Sequence, residues 1–98
     1  MKNFTRLFST LFIFISLANY VNSQTVYTWN GSVNSNFSTA GNWTPFRQIG
    51  LVNDILVFEN SGNLNVINVY QVTIGQLIIR NNTNLTLSPA SGNAKLVT

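Results

Sequence analysis

Few residues in this chain could carry acid–base, nucleophilic or metal chemistry. Its 98 residues include no histidine and no cysteine, and its only carboxylates are Asp54 and Glu59. A Ser-His-Asp arrangement cannot be assembled without an imidazole. The usual zinc ligands, His and Cys, are missing too. Asp54 and Glu59 have an odd sequence separation, so in an extended strand they face opposite sides, about 16 Å apart at about 3.3 Å per residue. That geometry does not suit a hydrolase acid/base pair. Their expected place is in turns and strand edges, where charge keeps a strand soluble. Calcium needs several converging oxygens, and Asp54 with neutral asparagine amides supplies too few. Phosphate-loop and dinucleotide glycine patterns are also absent. The sequence therefore predicts no catalytic residue, no metal and no cofactor, and the chain is read as non-enzymatic.

The remaining chemistry is aromatic. Trp29 and Trp43, with Tyr27, Phe37 and Phe46, lie among turn-forming Asn, Gly and Ser residues in TVYTWNGSVNSNFSTAGNWTP, 25–45. Such rings could stack on sugars, which makes Trp29, Trp43 and Tyr27 candidate glycan-binding residues. They could equally cover an exposed end of a β-structure, since Trp offers a large apolar face and one N–H for a turn carbonyl. The cover is the stronger reading, because these aromatics immediately precede the strand-rich region. Asn30-Gly-Ser, Asn36-Phe-Ser, Asn42-Trp-Thr, Asn81-Asn-Thr and Asn84-Leu-Thr fit the N-glycosylation pattern. In a chain rich in Asn and Thr, turn formation explains them better.

The N-terminal segment sets the compartment. MKNFTRLFSTLFIFISLANYVNSQ has a positive start at Lys2 and Arg6, an apolar run over 7–17, and compact residues before a break between Ser23 and Gln24. This is the layout of a cleavable signal peptide, and the run is too short for a spanning helix, which needs about 20 apolar residues. After cleavage three cations (Arg47, Arg80, Lys95) face two carboxylates, leaving a net charge of +1. Neither that charge nor any clustered basic patch supports nucleic-acid binding. The expected location is extracellular or on the outer cell surface.

Helical spacing is nearly absent after residue 24, and Val/Ile/Leu/Thr runs recur between turn clusters, which predicts an all-β protein. NDILVFEN (53–60) aligns with GQLIIRNN (75–82) at an offset of 22 residues. This sets Ile55 on Leu77, Leu56 on Ile78, Val57 on Ile79 and Asn60 on Asn82. After the turn Leu64 meets Leu85 and Val66 meets Leu87, while QVTI (71–74) matches KLVT (95–98) loosely. A period of about 20–25 residues built from strands predicts a β-solenoid, in which stacking at about 4.8 Å buries residues that one coil cannot. A β-sandwich is the alternative, because it too shows short strands with regular turn signals. The predicted organisation is a signal peptide over 1–23, an aromatic-rich cap over 24–49, and first coils over 50–98. With no disulfide and about 75 residues after cleavage, the chain is expected to belong to a longer protein or to be completed by association; the alternatives to a scaffold segment are a carbohydrate-binding β-sandwich module and the structural start of a larger secreted polysaccharide-active enzyme.

The ordered series YTWNG (27–31), FSTAGNW (37–43), NDILVF (53–58) and VTIGQL (72–77) resembles the start of β-helix passenger regions in autotransporter-like adhesins. It is still more similar to large secreted proteins of Bacteroidetes that carry a type IX secretion sorting domain. The resemblance implies a right-handed parallel β-helix with adhesive or display function, engaging glycans or host and cell-surface partners. Phe37 stands where those proteins carry the first Trp of a paired motif. These 98 residues contain no sorting domain, so the export route is implied by the resemblance alone.

Overall fold

A computed structural model describes residues 24–98, and the predicted signal peptide and its break after Ser23 lie outside or at the edge of the described residues. Gln24, the first described residue, is exposed. The chain is all-β. Its strands are β1 (Val26–Trp29), β2 (Trp43–Thr44), β3 (Ile55–Phe58), β4 (Gly62–Val69), β5 (Val72–Thr73), β6 (Gln76–Ile79), β7 (Thr83–Pro89) and β8 (Leu96–Val97), with one 3₁₀ turn at Ala40–Asn42.

β2 pairs antiparallel with β1, and every other pairing of these strands is parallel: β1 with β3, β3 with β6, β4 with β7, and β5 with β8. Parallel strands need a long crossover, which is usually a helix. Here β4 and β5 make the crossover from β3 to β6, so the return path itself consists of strands. The partners lie 21 residues apart in β3/β6 and β4/β7, and 24 apart in β5/β8.

The register corrects one part of the sequence alignment. Leu64 does face Leu85, Val66 faces Leu87, and Val72 faces Leu96. In the first ladder, however, Ile55 pairs with Gln76, Leu56 with Leu77, Val57 with Ile78 and Phe58 with Ile79, one residue short of the offset of 22. A slip of one residue exchanges the two faces of a strand. An uninterrupted aliphatic run such as ILVF or LIIR has no alternation to reveal it. Asn60 and Asn82 consequently do not form the expected ladder. The stacked amides are those of Asn63 and Asn84, with Asn84 Nδ2 donating to Asn63 Oδ1 at 2.9 Å.

The corners show why this sequence turns where it does. Ser61 and Gly62 have φ of 66° and 74°, and Asn81 and Asn82 have φ of 60° and 56°. Left-handed backbone is cheapest for Gly and next for Asn, and three of these four corner positions carry those residues, with Ser61 the exception. Gly75 answers to a different constraint. A Cβ there would lie 2.6 Å from the Asn53 carbonyl oxygen, so only glycine lets the start of β6 approach Asp54.

The core cluster contains Trp29, Phe37, Trp43, Leu56, Phe58, Val66, Val69 and Ile74, with Leu64, Leu77, Leu85, Leu87 and Leu96 packed against it half-buried. Residues 35–37 lie along β4: Ile67 N–H donates to Ser35 O and Phe37 N–H donates to Ile67 O, both at 2.9 Å. The segment before β3 therefore covers two edges, that of β3 through β1 and that of β4 through residues 35–37.

Candidate functional site

The aromatic stretch folds into one cluster around a buried ion pair. Trp29 and Trp43 meet edge to face with centroids 5.0 Å apart, and Phe37 meets Trp43 in the same way at 5.4 Å. Phe58 packs on both tryptophans, at 5.9 and 5.5 Å. Such geometry sets the positive ring edge against the negative ring face. The Trp43 indole N–H donates to the Phe37 carbonyl at 2.9 Å, inside the protein.

Arg47 enters this cluster from the loop between β2 and β3. Its Cζ lies 5.7 Å from the Tyr27 ring centroid, 5.6 Å from Phe37 and 5.9 Å from Trp43. Its Nε donates to Asp54 Oδ2 at 3.1 Å, its Nη2 lies 3.1 Å from the same oxygen, and Nη1 reaches the Tyr70 hydroxyl at 3.5 Å. A Cβ on Gly50 would sit 2.4 Å from Nη2, so the guanidinium occupies space that only glycine leaves free. Asp54 Oδ2 also accepts the Leu51 N–H at 2.9 Å. Its backbone carbonyl takes the N–H groups of Gly75 and Gln76, at 2.8 and 3.2 Å. Asp54 thus holds the loop with its side chain and the next ladder with its backbone. Asp54 Oδ1 and Arg47 Nη2 have no aligned hydrogen-bond partner.

Asn42 organises the turn beneath. Its Oδ1 accepts the N–H groups of Val33 and Asn34, both at 3.0 Å, and its Nδ2 donates to Asn34 Oδ1 and the Asn36 carbonyl at 2.8 and 2.9 Å. All four side-chain hydrogen-bonding positions are used. Asn42 is fully buried, so the Asn42-Trp-Thr pattern is no accessible glycan acceptor in this fold.

Several site expectations change here. Asp54, expected at a turn or strand edge, is fully buried and paired. Glu59 stays near the surface and bonds Arg80 at 2.8 Å, an exposed pair of the kind that contributes little. The two carboxylates share no site. Trp29 and Trp43 are 3% and 2% exposed, which leaves no ring face open to a sugar, and Tyr27 is half-buried against Arg47. Phe46, from the same aromatic group, is 74% exposed beside exposed Ile49, Leu51 and Val52. In this loop the charged residues point inward and the apolar ones outward. Arg47, Tyr70 and the hub role of Asn42 were not singled out by the sequence. The available signal was a lone cation in the otherwise uncharged FRQIGLVN, seven residues before the only nearby acid, Asp54.

No group of three or more potential metal ligands exists among the described residues. The arrangement offers a rigid, sealed cluster and no exposed reactive group. No protein-family model, curated protein or solved structure matches the chain.

Proposed function

We propose that the chain is the capped start of a parallel β-solenoid, a non-enzymatic scaffold segment of a secreted or cell-surface protein that serves adhesion or display. The observation that carries this reading is the parallel register recurring at 21, 21 and 24 residues in three successive ladders. A sandwich of antiparallel sheets would not produce it. The aromatic cluster supports the cap: it lies on the side of β3 and β4 that β1, β2 and residues 35–37 cover. The extracellular placement rests on the layout of residues 1–23 and on the resemblance to Bacteroidetes surface proteins. Partners would be glycans or cell-surface molecules met by the assembled scaffold, and not by Trp29 or Trp43.

Appending a duplicate of residues 54–74 after Thr98 tests the scaffold. In a stack stabilised by nearest-neighbour contacts, each added coil raises stability. The melting temperature is expected to rise and the far-ultraviolet β signal to grow; an unfolded appendage with an unchanged melting temperature would remove the solenoid reading. Titration with polysaccharides, followed by tryptophan emission, is expected to leave Trp29 and Trp43 unperturbed, whereas Trp43→Ala costs folding. A saturable emission shift would restore the carbohydrate-binding alternative.

A further inference from the structure

The loop between β2 and β3 is inverted relative to an ordinary surface loop. Within residues 46–52, Phe46, Ile49, Leu51 and Val52 are 74%, 76%, 55% and 72% exposed, while Arg47 is buried. Val33, itself exposed, extends the group. A Cβ on Gly41 would lie 2.9 Å from Val33 Cγ2 and 3.3 Å from Phe46 Cε1, so both side chains sit over the same glycine. Singly exposed apolar residues are ordinary, but five gathered around one loop mark a contact surface.

The loop is held in this pose. Asp54 Oδ2 accepts from Arg47 Nε and from the Leu51 N–H, and the Asp54 N–H donates to the Leu51 carbonyl at 3.1 Å. The Arg47 N–H donates to the Ala40 carbonyl at 3.4 Å, which ties the start of the loop to the turn beside it. The outward side chains are therefore presented on a fixed frame, and little ordering is left to oppose a contact.

Charge and shape together select the partner. Arg47 and Asp54 are the only charged side chains between residues 24 and 58, and both are buried. An anionic glycan, a nucleic acid or a charged peptide finds no counter-charge on this surface. Side chains exposed to this degree stand clear of their neighbours, so the loop is a raised tip rather than a flat face. Two such tips in contact fall short of the roughly 800 Å² per partner of a stable protein interface. A fluid apolar medium instead closes around each side chain separately.

We propose that this loop inserts into the acyl-chain boundary of a lipid surface, with Phe46, Ile49, Leu51 and Val52 as the inserted residues. The attachment is peripheral and reversible, driven by buried apolar area as for other interfacial anchors, and it requires no anionic lipid. The loop precedes β3, and nothing in this contact depends on how the ladders continue.

Co-sedimentation of the purified protein with phosphatidylcholine vesicles tests this. Binding is expected, unchanged by added phosphatidylglycerol and insensitive to salt, because screening acts on charges alone. Phe46→Ser and Ile49→Ser are each expected to weaken it about tenfold, since each removes one large apolar side chain from the contact. Both positions are exposed, so tryptophan emission from buried Trp29 and Trp43 should stay native and report an intact fold. Ile67→Ser, at an exposed apolar position on β4, is expected to bind as the native protein does. Phe46→Trp should be quenched by bromine placed on the acyl chains, which distinguishes insertion from surface adhesion. A folded native protein that does not bind, binding that needs anionic lipid and is lost in salt, or full binding by the Phe46→Ser/Ile49→Ser double variant overturns the proposal. So does a native protein that ignores vesicles and sediments as two chains, but as one in the double variant; that result assigns the loop to a second copy.

Discussion

β3 and β6 invite direct comparison. Each has four residues, they lie side by side in register, and both are largely aliphatic: ILVF and QLII. Leu56, Val57 and Phe58 of β3 are at most 1% exposed, whereas β6 is half-buried at Leu77 and Ile78 and exposed at both ends. The difference comes from neighbours rather than from side-chain type. β3 has a strand on each side and the Trp29–Trp43–Phe58 cluster over it, while among the described residues β6 has a strand on one side only. Among the described residues β3 is therefore enclosed and β6 is not, and the stability contributed by equivalent side chains is expected to fall from the first to the second.

The register pair Leu56 and Leu77 measures that gradient with identical side chains. Leu56→Ala is expected to cost about 3–4 kcal/mol, because a fully buried leucine leaves a cavity. Leu77→Ala should cost about 1–2 kcal/mol, since its side chain is only partly buried. Chemical denaturation of both variants checks the ratio, and equal losses would erase the asymmetry. Asp54→Asn comes next, at about 3 kcal/mol, because it strands a buried guanidinium. Replacing Arg47 and Asp54 together with Met and Leu is expected to recover most of that loss. If the double variant is no better than Asp54→Asn alone, the pair is not what makes Asp54 important. Asn42→Ala should cost about 2 kcal/mol, as it empties a fully buried position and leaves two partly buried N–H groups and the Asn36 carbonyl without partners. Asn84→Ala, on the exposed amide ladder, should cost about 0.5 kcal/mol. Its effect on urea denaturation should be far below that of Asn42→Ala, although both remove an asparagine bonded to another asparagine.

Parts of this pattern were legible in advance. The runs TVYTW, DILVF, LNVINV and VTIGQLIIR announced strands, and the Leu64/Leu85 and Val66/Leu87 matches hold in the fold. These succeeded because LNV (64–66) and NLTL (84–87) alternate polar and apolar residues, which fixes their faces. The DILVF and LIIR runs do not alternate, and their alignment slipped by one residue. Asp54 was misplaced for a related reason: in isolation a charged residue before a strand reads as a surface residue. Only Arg47, brought alongside by the loop between β2 and β3, makes its burial tolerable. Tyr70, which joins this group from just after β4, had no signal of its own.

By itself, the sequence determined the strand-rich character of residues 25–98, the turn positions and the lack of His or Cys chemistry, because each follows from residue type and short-range spacing. The tertiary structure decided the register of β3 on β6, the enclosure of Trp29 and Trp43, and the burial of Asp54 against Arg47. Those depend on which segments meet in the fold, and local composition carries no record of that.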